Sequence, residues 1–121
     1  MMKNNIIQFN KNEIKLIESS CDGNIRIWNF HSNLLLTKIN TGGELCGICL
    51  WNNNYLFAGC SDKTIKLIDL ENKLIIKNLT THDEVITVKK IIHQKYGECL
   101  VSQNWGESKI KLWRLNNNTI F

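Results

Sequence analysis

Apolar and polar positions alternate along this chain in short runs, broken by Asn, Gly, Asp and Ser. Three segments share one layout: LIESSCDGNIRIWNF from Leu16, LFAGCSDKTIKLIDL from Leu56 and LVSQNWGESKIKLWRL from Leu100. Each opens on an apolar run, passes through a small or polar cluster containing an acid, and closes on an alternating triplet. The triplets are Ile25-Arg26-Ile27, Ile65-Lys66-Leu67 and Ile110-Lys111-Leu112. Period-two alternation on both sides of a turn predicts a β-hairpin. Asp22-Gly23 suits that turn, because glycine accepts positive φ and aspartate bonds its own backbone.

Spacing fixes the register. Trp28, Ile68 and Trp113 follow the triplets, so the units are 40 and 45 residues apart. The excess falls around HQKYG and NWGE, both predicted turns, while strand spacing is kept. Within the second unit four strands are predicted: Leu45–Leu50, Tyr55–Gly59, Thr64–Asp69 and Leu74–Leu79. Short blocks rich in Ile and Val, with Asn and Gly between them, leave no amphipathic helix. The fold class is therefore all-β. Four antiparallel strands repeated every 40–45 residues describe the blades of a β-propeller.

The segment CDGNIRIWN resembles the third-strand signature of WD40 repeats, SDKTIKLID matches it with the Trp replaced, and SKIKLWR is a looser third copy. Arg114 stands there where the family has Asp. The resemblance covers nearly the whole chain as one WD40-repeat region, with blades at about 1–40, 41–80 and 81–121. It implies a buried network joining a His before the first strand, a Ser or Thr on the second, an Asp in the hairpin and the third-strand Trp. The third unit carries His82, Ser102, Glu107 and Trp113. The first keeps Asp22 and Trp28, with Glu18 near the Ser position, and the second keeps only Asp62. All of these are read as structural. Three blades make an incomplete ring, with a fourth strand of the last blade unfinished at LNNNTIF. Its open ends expect either the remaining blades of a longer chain, the favoured case, or self-association.

Composition narrows the function. Net charge is +4, from 15 basic and 11 acidic residues, and the longest basic run is Lys89-Lys90. Scattered lysines argue against a nucleic-acid partner, which stays with acidic lipid as the alternative reading. No apolar stretch is long enough to span a membrane as a helix. Five cysteines without a secretory signal suggest free thiols inside the cell, cytoplasmic or nuclear. Cys46 and Cys49, three apart on a strand, face opposite ways and suit packing better than metal. No phosphate loop or nucleophile elbow appears, so neither enzymatic activity nor a cofactor is expected. The resemblance implies a platform for other proteins or peptides. The candidate partner-binding residues are Trp105, Glu44, Asp83, Glu84 and Lys63, gathered on the face of hairpin turns and strand lead-ins. Trp105 is either folded over its own blade or presented to a partner.

Overall fold

A computed structural model describes residues 3–10, 13–81, 83–106, 110–116 and 119–120. Every regular element among them is a strand, and the strands form three antiparallel four-stranded sheets. The first contains β1 (Lys3–Asn10), β2 (Glu13–Ser19), β3 (Asn24–Asn29) and β4 (Leu35–Asn40). The second contains β5 (Leu45–Leu50), β6 (Tyr55–Cys60), β7 (Thr64–Asp69) and β8 (Leu74–Thr80). The third contains β9 (Val85–His93), β10 (Gly97–Asn104), β11 (Ile110–Asn116) and β12 (Thr119–Ile120). In each sheet the strands lie in chain order, so short hairpins suffice throughout. The short β12 does pair with β11, through Leu115–Ile120 and Asn116–Thr119.

The registers repeat as closely as the sequence does. Leu16 faces Trp28, Leu56 faces Ile68 and Leu100 faces Trp113. The pairing of β3 with β4 slips between Ile27 and Trp28, and that of β7 with β8 slips between Leu67 and Ile68, the same place one repeat on. Such bulges add twist to a strand pair.

Two apolar cores hold the sheets in a stack. The first joins Ile17, Ile25, Ile27 and Ile39 of the first sheet to Leu45, Leu56, Ala58, Ile68 and Leu70 of the second. The second joins Phe57, Ile65 and Leu79 of the second sheet to Val85, Val88 and Leu100 of the third. The middle sheet is covered on both faces, which is why β6 is buried at every position after Tyr55. Close approach is needed there. A Cβ on Gly59 of β6 would lie 2.7 Å from Val85 Cγ1 and 3.0 Å from the Val85 carbonyl oxygen on β9. Trp51 is buried beyond the end of β5, edge-on to Phe57 at 5.4 Å. Lys90 Nζ lies 4.9 Å from the Trp51 ring centroid and donates to its carbonyl at 2.8 Å.

Candidate functional site

The hairpin turns β2–β3, β6–β7 and β10–β11 lie at one end of the stack, with the lead-ins to β5 and β9 beside them. Backbone bonds lock these loops together. Thr41 N donates to the Gly23 carbonyl, and Thr81 N to the Lys63 carbonyl, each at 2.8 Å. The threonine hydroxyls double the link. Thr41 Oγ1 donates to Gly23 O at 2.7 Å or Gly43 O at 3.2 Å, and Thr81 Oγ1 to Asp83 O at 2.7 Å or Lys63 O at 3.0 Å. Each threonine clamps the lead-in of one sheet to the hairpin of the sheet before it. Both are buried. Their spacing of 40 residues was the available signal, but the hydroxyl's target could not be read from it.

Within each hairpin an aspartate holds the turn. Asp22 accepts from Asn24 N at 3.0 Å, from Ser20 Oγ, and from Arg26 Nη2 at 2.8 Å. The Arg26 guanidinium, with Ser20 and Asn24, holds the Asp22 carboxyl far below the usual carboxylate range. Asp62 is built alike, accepting from Thr64 N at 3.1 Å, from Thr64 Oγ1, and from Lys66 Nζ at 3.1 Å. Burial opposes its ionisation, but bonds from Thr64, Lys66 and Cys60 outweigh that and keep it low. Lys66 Nζ also donates to Asn78 Oδ1 at 3.0 Å, so its buried charge has two acceptors.

The third-strand tryptophans find different acceptors. Trp113 Nε1 donates to Ser102 Oγ at 2.9 Å, and Trp28 Nε1 donates to Glu18 Oε1 at 3.0 Å. In the middle sheet the same two positions hold Ala58 and Ile68, both in the first core. Glu18 thus fills the role of Ser102, which its residue type alone did not announce. His82 and Glu107, the other expected members of the third network, lie outside the described residues. Asn104 was not anticipated: it is buried, and its Nδ2 donates to the Asp83 carbonyl at 2.7 Å.

Trp105 is 64% exposed. Its side chain stands out from the β10–β11 turn, while its N–H anchors to the Glu84 carbonyl at 2.8 Å. Glu44 and Glu84 are exposed on the same end. Both act on Cys46, whose thiol is pushed up mainly by burial and further by these two carboxylates. Lys63 is exposed at the tip of the β6–β7 turn with φ 70°, where Gly23 has φ 84° in the preceding sheet. So Trp105, Glu44 and Glu84 occupy one surface, with Asp83 held beneath it by Thr81 and Asn104. Cys49 packs into the second core and Cys60 into the first, and burial pushes both thiols up, away from the reactive thiolate.

The opposite end differs in character. Arg114 Cζ lies 4.3 Å from the ring centroid of Tyr96, which belongs to the lengthened β9–β10 turn. Tyr96 stacks on His93 at 4.8 Å, and His93 Nδ1 accepts from Lys95 N at 3.0 Å. Two of the third unit's departures from the repeat, an Arg for Asp and the longer β9–β10 turn, are therefore in contact.

Residues 40–69 match the WD40 family, described as "WD domain, G-beta repeat". The chain is 28% identical over 58 residues to the small ribosomal subunit protein RACK1y of Oryza sativa subsp. japonica, covering 48% of this chain and 17% of that protein. It is 28% identical over 71 residues to myosin heavy chain kinase C of Dictyostelium discoideum, covering 59% and 9%. The U3 small nucleolar RNA-associated protein 21 homolog of Schizosaccharomyces pombe is 27% identical over 73 residues, covering 60% and 8%. The chain thus spans less than a fifth of each relative. In fold, it superposes on the WD40 β-propeller domain of Doa1 with a TM-score of 0.77 at 18% identity, over 98% of this chain and 38% of that one. The β-propeller domain of Cps50 (Swd1) from Myceliophteria thermophila gives 0.73 at 13%, over 100% and 40%.

Proposed function

We propose that the chain, whose fold matches WD40 β-propeller blades, is a non-enzymatic platform for binding other proteins, working within a larger assembly. The observation that carries the reading is Trp105, a large aromatic side chain exposed just past β10, with its own N–H held by the Glu84 carbonyl. Aromatic anchors held on rigid loops lose little entropy on binding and dominate interface energetics. The carboxylates of Glu44 and Glu84 on the same surface suit a peptide carrying Lys or Arg, whose cation can also sit over the indole face. Two relatives are named for a ribosomal subunit and a small nucleolar RNA, which supports a cytoplasmic or nuclear setting.

A peptide panel tests this. Basic, acidic and neutral peptides of equal length are titrated against the protein at two salt concentrations. Basic peptides are expected to bind at least tenfold more tightly than acidic ones, about 1.4 kcal/mol, and to lose only part of that preference in salt. Preference for acidic peptides would reject the assignment. A second reading has its own observation in the Lys95, Tyr96 and Arg114 cluster, where cations and an aromatic ring meet as at polyanion sites. Binding of single-stranded nucleic acid or anionic vesicles that weakens steeply with salt would favour it.

A further inference from the structure

The gap between the first two sheets and the gap between the last two use the same positions, but they end differently. At the end away from Trp105, aromatic side chains close the second gap. Tyr55 and Leu67 pack against the second core there, and Trp51 lies buried under Lys90 of the third sheet. In the first gap the register puts Lys15 at the place of Tyr55 and Ile27 at that of Leu67. A lysine has a slim chain and keeps its ammonium hydrated, so it does not fill a gap as a ring does. The result is an open groove of about 390 Å³, both of whose walls the chain itself builds. Lys15, Ile27 and Leu36, on β2, β3 and β4, form one wall. Asn53 of the β5–β6 turn, with Leu70 and Glu71 after β7, forms the other. Leu70 N donates to the Asn54 carbonyl at 2.8 Å and Glu71 N to Asn54 Oδ1 at 3.3 Å, so the second wall is preformed. Leu36 is apolar, yet 46% exposed in this groove.

We propose that this groove binds an extended peptide in which one aliphatic residue stands between an acidic and a basic one. The groove runs across β2, β3 and β4, two strand spacings or roughly 10 Å. Three extended residues cover that length at about 3.3–3.6 Å each. The aliphatic side chain enters between Ile27, Leu36 and Leu70 and takes Leu36 out of water. Its neighbours point back to the rims, because successive side chains of an extended chain alternate. Lys15 on β2 then meets the acid, and the exposed Glu71, between β7 and β8, meets the base. Opposite charges on the two walls disfavour a segment with two like charges. Asn53 is exposed on the same wall as Glu71, and its amide can both donate to and accept from the peptide backbone.

Fluorescence anisotropy with labelled, capped Gly-Glu-Leu-Lys-Gly and its reversed order, Gly-Lys-Leu-Glu-Gly, tests the proposal on the 121-residue chain. One order or both are expected to bind saturably, and replacing the peptide's Leu by Gly to weaken binding at least tenfold. Lys15→Tyr returns the ring that closes the second gap and should abolish binding, with a cooperative melt showing that the chain is folded. Glu71→Lys, at an exposed site, should shift preference at least tenfold from the mixed-charge peptide to Gly-Glu-Leu-Glu-Gly. That second variant carries the test should Lys15→Tyr fail to fold. Trp105→Ala should leave all of these affinities unchanged, which separates the groove from the turn face at the other end. Saturable binding of neither order, unaltered preference in either folded groove variant, or loss of binding in Trp105→Ala would overturn the proposal.

Discussion

Lys63 and Gly23 occupy the same turn position, at φ 70° and 84°. A side chain in that region costs roughly 1–2 kcal/mol, and glycine returns part of the gain as unfolded-chain entropy. Lys63→Gly should therefore raise stability by up to about 1 kcal/mol in urea unfolding. Gly23→Ala should lower it further than that, since the new Cβ would also sit 2.7 Å from the Gly43 carbonyl oxygen. Asp22 gives a prediction in pH. Its carboxyl is held low in the folded chain, so the stability it contributes is full above the unfolded carboxylate value of about 3.9 and drains away as pH falls below it. Asp22→Asn should flatten the acid limb of the melting temperature against pH and leave little slope change near neutrality. At this scale legibility was uneven. Asp22-Gly23 announces its turn, because the backbone demands those residue types. Thr41 and Thr81 do not, because a threonine hydroxyl can reach many carbonyls and only the stacked sheets choose one.

Strands were the most legible elements. Those of the second sheet begin where alternation and turn residues place them and end within a residue of the expected limits. Alternation reports which side of a strand is apolar, but it does not report how close two sheets come. That depends on Gly59, which the alternating pattern passes over. Gly59→Ala should push β9 away from β6 and cost about 1–3 kcal/mol. Val85→Ala in that background should recover a part of the loss, because one contact is with the Val85 side chain and the other with its backbone. A double-mutant cycle in urea would show this as a coupling above about 0.5 kcal/mol, whereas additive losses would mean that the two residues do not press on each other. Trp51 shows the other limit. It lies just past β5, and no periodicity marks a buried residue between strands.

Over the whole molecule, the repeat arithmetic carried the architecture, and the chain matches two-fifths of a propeller in the solved structures it resembles. What the sequence left open was the use of the turn face, because an aromatic residue at a turn tip serves covering and binding equally well. In the fold Trp105 is anchored through its backbone while its side chain lies outside both cores. A structural Trp there would cost stability on removal, and a binding Trp would cost affinity. The direct measurement is therefore the affinity of the tightest basic peptide from the panel for the chain and for Trp105→Ala, with both melting temperatures recorded. The expected result is binding at least tenfold weaker, about 1.4 kcal/mol, with the melting temperature nearly unchanged. Unchanged affinity with a clearly lowered melting temperature would contradict the account and make Trp105 part of the scaffold.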